Sequence, residues 1–305
     1  MGHHIYIASS TFSEVPAQVL TDKGWSLSWN RTGKRLNSKE LVEQARGAEA
    51  VIAGLEVYDR AVLEALPQLR CISRCGVGMD NVDLKFAREK GITVFNTPDV
   101  VIQPVAELTL AMIFDLLRKV TFQTVMMRQN VWERQSGFEL KGRKVGILGL
   151  GRIGRRVAEL LVRLEADVSG YDLYPDDDWA ATAGVKLVCF DDILTGMDVI
   201  SLHLSVTSEN PFCLGSGELS RMRSGVLLVN VARGALVDEE ALYAAIVSEK
   251  VGGVALDVYA QEPYVGRLTE LSNVIMTPHV GSFTRESRLN METQAVSHVV
   301  NFFKT

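Results

Sequence analysis

Short apolar runs recur along the chain, each closed by a small or turn-forming residue. Between them lie stretches whose apolar positions fall three and four apart. Up to Asn96 the order is "HIYIASS", a helical "AQVLTDKG", "SLSWN", "SKELVEQARG", "AVIAG", "RAVLEALPQ", "CISRCG", "LKFAREKG" and "ITVFNT". Ser38 is a plausible N-cap for the second helical stretch. Strand-period and helix-period segments that alternate across short loops signal βαβ units and a parallel sheet covered by helices.

Near Pro98 the pattern changes. "QPVAELTLAMIFDLLRKVTFQTVMMRQ" is apolar almost all round. It predicts one long buried helix, packed either inside the protomer or against a second subunit. A fresh alternating series opens at "KVGILGLGRIG" and continues through "ADVSGYD", "VKLVCF", "DVISLH", "VLLVNVA", "GVALDV" and "VIMTPH". "ESRLNMETQAVSHVVNFF" closes the chain as a single helix. The pattern predicts an α/β protein of two doubly wound parallel-sheet lobes, with a ligand cleft expected between them.

Composition narrows the classes. The net charge of -5 over 305 residues argues against nucleic acid or an anionic membrane surface as partner. The most apolar stretch, "VAELTLAMIFDLL", is too short to span a bilayer and contains Glu107 and Asp115. No signal peptide is visible, so the expectation is cytoplasmic. Cys71 and Cys75 on one strand would sit roughly 13 Å apart, too far for a disulfide or a shared metal, and read as buried thiols. His3 and His4 read as a solvated N-terminus or a cloning remnant rather than a metal site.

"GLGRIG" places Gly149, Gly151 and Gly154 in G-x-G-x-x-G spacing, after a strand and at the start of a helix. Gly149 permits the tight turn, Gly151 lets backbone N–H groups approach a pyrophosphate, and Gly154 lets helix pack on strand. Arg152 and Ile153 open the helix whose N-terminus favours an anion. Asp172, at the end of the next strand, can accept from both ribose hydroxyls and repels a 2'-phosphate. "PDDD" beyond it adds charge of the same sign, with no nearby arginine expected to offset it. The cofactor expected is NAD rather than NADP. As a calcium loop, "DLYPDDDW" lacks the glycine and the distal glutamate.

Open α/β sheets bind ligands beyond the carboxyl ends of their strands. There this sequence sets Arg233 after "LLVNVA", Asp257 in "GVALDV", Glu262 in the following loop and His279 at the end of "VIMTPH". A developing alkoxide needs a proton, and histidine supplies it near neutrality. Glu262 would fix the ring and favour its charged form. Arg233 can grip a substrate carboxylate and polarise the adjacent carbonyl. His203 also ends a strand and is the rival acid. His279 is preferred, because "PHVG" gives a turn to hold the ring and Glu262 is available. His298 reads as a packing or surface residue. Asp257 either orients a nicotinamide amide or caps a turn.

With these residues in view, the chain resembles the D-isomer-specific 2-hydroxyacid dehydrogenases over essentially its whole length. "GILGLGRIG", "NVARGALVDEEAL", "ALDVYAQEP" and "TPHVGS" match in order and spacing. The resemblance implies that Arg233, Glu262 and His279 form the catalytic set, with Ala232 and Asp257 beside the cofactor. It implies a flavodoxin-like substrate-binding lobe of residues 1–99 rejoined by 286–305, a Rossmann NAD-binding lobe of residues 100–285, and a homodimer. In "SRCGVGMDNVD" it suggests that the N–H groups of Val77 and Gly78 hold the substrate carboxylate.

Within the family the chain looks closest to the D-3-phosphoglycerate dehydrogenases, on "ISRCGVGMDNVDL", "NTPD", "VAELT" and "VWERQ". Arg74 and Arg134 match positions where that subfamily sets cations for the substrate phosphate. The implied substrate is the 3-phosphoglycerate/3-phosphohydroxypyruvate pair, at the head of serine biosynthesis. The alternative is a glyoxylate or hydroxypyruvate reductase; in a different class, the same fold serves as an NAD-sensing corepressor. Three features depart from the pattern. "NTPDVV" puts Val101 where a polar residue is usual, "HLSVT" puts Ser205 where proline is usual, and the chain ends at Thr305, short of any appended regulatory domain.

Overall fold

The computed structural model describes residues 2–205 and 214–304. In chain order the elements are β1 His4–Ile7, α1 Glu14–Thr21, β2 Ser26–Trp29, α2 Ser38–Gln44, β3 Ala50–Ala53, α3 Arg60–Ala65, β4 Cys71–Arg74, α4 Leu84–Glu89 and β5 Thr93–Phe95. There follow α5 Ile102–Arg118, α6 Val120–Arg128, β6 Lys144–Leu148, α7 Arg152–Arg163, β7 Asp167–Tyr171, α8 Asp177–Ala183, β8 Lys186–Leu187, α9 Phe190–Gly196 and β9 Val199–Leu202. The chain then runs through α10 Ser216–Arg221, β10 Val226–Asn230, α11 Glu239–Val247, β11 Val251–Leu256, β12 Val274–Met276 and α12 Arg285–Phe302.

One compact unit comprises Met1–Val101 with Ser282–Thr305, the other Ile102–Gly281. The first holds a five-stranded sheet in the order β2-β1-β3-β4-β5, the second a seven-stranded sheet in the order β12-β11-β10-β9-β6-β7-β8. Every strand pairing in both sheets is parallel. β3, β4, β9 and β10 are buried along their whole length, as a sheet covered on both faces requires. The chain is thus an α/β protein with two doubly wound parallel-sheet lobes.

Three expectations are corrected. The long apolar segment is two helices. The Lys119 N–H closes α5 on the Asp115 carbonyl at 2.6 Å, and Lys119 itself turns left-handed at φ 54°. The Asp115 carboxylate then takes the N–H of Thr121 at 2.8 Å and its hydroxyl, which starts α6 in a new direction. α5 buries Val105, Met112, Ile113 and Leu117, whereas α6 has no buried residue. The cap of α2 is Asn37, one residue before Ser38, in a reciprocal capping box with Glu40. Finally, the N-terminal histidines are built in. His3 stacks on Phe303 with centroids 3.8 Å apart and meets Glu49 at 3.0 Å, and His4 bonds Ser28 from within β1.

Cys71 and Cys75 are buried and free, and desolvation raises each thiol to about 12.

Candidate active site

The glycine loop leaves β6 and enters α7. Gly149 has φ +96°, and a Cβ there would lie 2.7 Å from the His203 carbonyl. A Cβ on Gly154 would lie 1.9 Å from the Gly149 oxygen. These two glycines are demanded by the protein's own backbone. Gly151 is different: it caps α7 at φ -71°, its Cβ would meet nothing within 4 Å, and no side chain caps the first turn. No contact among the described residues asks for glycine there. An external group that must approach the backbone closely does, and a pyrophosphate at a helix N-terminus fits.

Asp172 is engaged with the loop. Its carboxylate accepts the Leu150 N–H at 2.7 Å and the Tyr174 N–H at 2.9 Å. Each oxygen keeps a second lone pair for a ribose hydroxyl. The acidic loop beyond it does have an arginine. Arg155, one helical turn into α7, reaches Asp176 at 2.9 Å and lies over Trp179. The Trp179 N–H, and then Arg155, hold the Asp176 carboxyl below the usual range. Because this guanidinium is committed to Asp176 and to the Leu150 carbonyl, it does not offer itself to a 2'-phosphate.

At the carboxyl ends of β10, β11 and β12 the four expected residues fall into two sets. Arg233 follows β10, its Nη1 donating to the Ala232 carbonyl at 2.7 Å while Asn230 bonds the flanking backbone on both sides. Gly234 then passes so close to the next loop that a Cβ would lie 1.9 Å from the Tyr259 carbonyl carbon. Glu262 sits in that next loop, and its two oxygens lie 2.8 and 3.1 Å from His279 Nδ1. A nitrogen facing a carboxylate carries its hydrogen, which leaves Nε2 as the ring nitrogen able to exchange a proton. The imidazole is 39% exposed and the glutamate 28%.

His279 itself is left-handed, with φ 54°. Asp257 holds this turn. It is 1% exposed and accepts the Thr277 hydroxyl at 2.5 Å and the N–H groups of Val280 and Gly281, each at 2.8 Å. Sequence reasoning could not see this partnership, because the donors lie 20–24 residues away in the chain. Tyr259 adds a second brace, its one hydroxyl proton shared between the Leu256 and Thr277 carbonyls.

The rival acid sits in a setting that disfavours its charged form. His203 packs against the glycine loop with Nε2 2.9 Å from the Ser201 hydroxyl, and desolvation lowers its pKa to about 3. It stays neutral where a proton donor is needed. The depressed value also carries a stability signature. Between about pH 6.5 and 3 the unfolded chain binds a proton that the folded chain refuses, so stability falls as pH falls through this window. His298, also lowered by desolvation, acts in the same direction. Urea unfolding should therefore show up to about 2 kcal/mol of stability lost between pH 7 and pH 5 through His203, and a flatter dependence in His203→Gln. Parallel curves would contradict the assignment. Ser205 is described, but Val206 and Thr207 of "HLSVT" lie outside the described residues.

In the first unit, Gly76 has φ +138°, and the Arg74 guanidinium fills the space its Cβ would take. Thr97 brackets Gly76, donating its N–H to the glycine carbonyl at 3.0 Å and accepting the glycine N–H on its hydroxyl at 2.8 Å. Asn96 donates to the Val77 carbonyl. The N–H groups of Val77 and Gly78 donate to nothing among the described residues. Arg74 is 8% exposed. Arg134 belongs to the second unit, exposed in the segment after α6, and makes no ion pair among the described residues. No group of metal-ligating side chains occurs among the described residues, and no helix among them is long and apolar enough to cross a membrane.

Residues 110–281 match the model of the D-isomer specific 2-hydroxyacid dehydrogenase NAD-binding domain, more than half of the chain. The chain belongs to this family. A D-3-phosphoglycerate dehydrogenase of Archaeoglobus fulgidus is 38% identical over 274 residues, which are 88% of this chain and 52% of that protein. The chain thus spans about half the length of the curated phosphoglycerate dehydrogenases it matches. A glyoxylate reductase of Korarchaeum cryptofilum is 32% identical, with 87% of this chain and 83% of the relative covered. Among solved structures, the D-lactate dehydrogenase of Aquifex aeolicus complexed with NAD and lactic acid superposes with a TM-score of 0.88 at 28% identity, over 99% of this chain and 96% of that one. The "GLGRIG" loop, Gly149–Gly154, is accordingly the glycine loop of an NAD-binding domain.

Proposed function

We propose that the protein is an NAD-dependent oxidoreductase interconverting a D-2-hydroxy acid and its 2-oxo acid. The observation that carries this reading is the His279–Glu262 pair, held at the carboxyl edge of the same sheet that presents the glycine loop. Bound NADH supplies the hydride. His279 Nε2 gives the carbonyl oxygen its proton, and Glu262 balances the imidazolium charge through Nδ1. Arg233 binds the substrate carboxylate and polarises the carbonyl. Residues 1–99 with 286–305 serve as the substrate-binding domain and 100–285 as the NAD-binding domain. In the first, the free N–H groups of Val77 and Gly78 cradle the carboxylate. Ala232, Arg152 and Ile153 border the cofactor, and Asp172 takes the ribose.

The preferred substrate pair is 3-phosphoglycerate and 3-phosphohydroxypyruvate, with Arg74 and Arg134 as phosphate cations. The second reading, a glyoxylate or hydroxypyruvate reductase, is favoured by the relative from Korarchaeum cryptofilum, which is matched over 83% of its length. We assign a homodimer from the exposed apolar side chains clustered in sequence over α5, α6 and the segment beyond: Phe114, Val120, Val125, Met127 and Trp132, the last 77% exposed. The cytoplasm is the proposed compartment. The test is NADH oxidation with kcat/KM compared for 3-phosphohydroxypyruvate, hydroxypyruvate and glyoxylate. A hundredfold preference for the phosphorylated acid, ~2.7 kcal/mol of discrimination, supports the first substrate. Equal or reversed preference selects the second reading, and absence of turnover with all three removes the enzymatic one.

A further inference from the structure

The order β2-β1-β3-β4-β5 places a topological switch point between β1 and β3, and ligands of such sheets sit outside the carboxyl ends there. In this chain that point is occupied by Arg288, from the first turn of α12. Its Nη2 reaches the hydroxyls of Ser9 and Thr11, at 3.4 and 3.0 Å, and the Thr11 carbonyl at 3.4 Å, all just beyond β1. Gly54, just beyond β3, lies against the same place, since its Cβ would be 3.6 Å from the Ser9 Cα.

Two features of Arg288 run against helix stability. A cation in the first turn meets the positive end of the helix dipole. Its partner Glu292, 2.7 Å away, is four residues further on, the weaker order for such a pair. Glu292 is moreover fully buried. It accepts from Arg288 on one oxygen and from the Ser13 N–H on the other. A hydrophobic residue would satisfy the core at lower desolvation cost. The arrangement instead fixes a guanidinium by one nitrogen. Nη1 and Nε make no hydrogen bond among the described residues, and the Phe283 ring lies 5.5 Å from the guanidinium carbon. The other charges near this edge are Arg74 and Glu56, the latter turned back onto the Gly54 N–H.

We propose that Arg288, positioned by Glu292, binds a second anionic group of the substrate, a phosphate or a carboxylate, distal to its 2-oxo acid end. This rests on the reading of the chain as a 2-hydroxyacid dehydrogenase. β1 and β4 are two strand spacings apart, roughly 10 Å. A three- or four-carbon acid held at Val77 and Gly78 beyond β4 spans most of that gap, and the arginine head closes the rest. Glyoxylate, with no distal group, leaves Arg288 without a ligand.

The test is NADH oxidation by wild type, Arg288→Gln, Arg288→Lys and Glu292→Gln with 3-phosphohydroxypyruvate, oxaloacetate and glyoxylate. In Arg288→Gln the kcat/KM ratio of the distal-anion acid to glyoxylate falls thirtyfold or more, about 2 kcal/mol. The phosphate and carboxylate arms show which anion is read. Arg288→Lys, which keeps the charge without the fork, falls less and stands in if the glutamine variant does not fold. Glu292→Gln falls partially and through KM. A ratio within threefold of wild type, or equal loss with all three acids, overturns the proposal in favour of a purely structural arginine. If the wild type turns over none of these acids, the enzymatic reading fails separately. Stabilisation by inorganic phosphate in thermal unfolding then decides: loss in Arg288→Gln supports the anion site, and equal stabilisation of both proteins refutes it.

Discussion

Replacing His279 by asparagine lowers kcat by about a thousandfold, within the range a positioned general acid supplies, and leaves NADH affinity near that of wild type. Asparagine is the informative choice because residue 279 is left-handed, with φ 54°, a conformation asparagine tolerates better than most residues. The backbone turn should survive, since it is held by Asp257 through the Thr277 hydroxyl and the Val280 and Gly281 N–H groups, none of which involves the ring. The substitution therefore removes the proton donor and little else. Steady-state NADH oxidation with the best substrate, beside a fluorescence titration of NADH, separates the two effects. Glu262→Gln should fall between, about ten- to a hundredfold down in kcat, because the ring remains but its imidazolium loses the facing carboxylate. A kcat for His279→Asn within threefold of wild type would remove His279 from the chemistry.

The second large effect separates two glycines of one loop. Gly151→Ser places a good capping residue at an N-cap with extended backbone and open space around its Cβ. Folding stability should hold or rise by about a few tenths of a kcal/mol. NADH affinity should nevertheless fall a hundredfold or more, because the new side chain stands where the pyrophosphate must approach. Gly154→Ala does the reverse in kind: its Cβ would lie 1.9 Å from a backbone oxygen, so it damages the fold by several kcal/mol before any ligand is added. Denaturant unfolding and NADH titration of both variants make the comparison. Normal NADH binding by Gly151→Ser would place the cofactor elsewhere.

Much of this was legible in the sequence because the signals are local. Each strand of both sheets coincides with an apolar run read from the chain, and the glycine loop is a six-residue pattern whose context, strand before and helix after, lies on either side of it. The break at Lys119 was not legible. No glycine or proline marks it, and what ends α5 is Asp115 bonding forward to Thr121. The committed state of Arg155 was hidden because it pairs with Asp176 across 21 residues. Arg288 was hidden more deeply. In the sequence it is one polar position of a terminal helix, and its surroundings come from Ser9 and Thr11, nearly the whole chain away. Periodicity reports which face of an element is apolar. It does not report which distant loop that face will meet.

The close passage of Gly234 over Tyr259 has a mechanical consequence. Two backbones in direct contact have no side chain between them whose repacking could change their spacing. The spacing between the segment bearing Arg233 and the segment bearing Glu262 is therefore set by backbone alone. A larger residue at 234 would push the two segments apart, and with them the strand ends that carry Arg233 and Glu262.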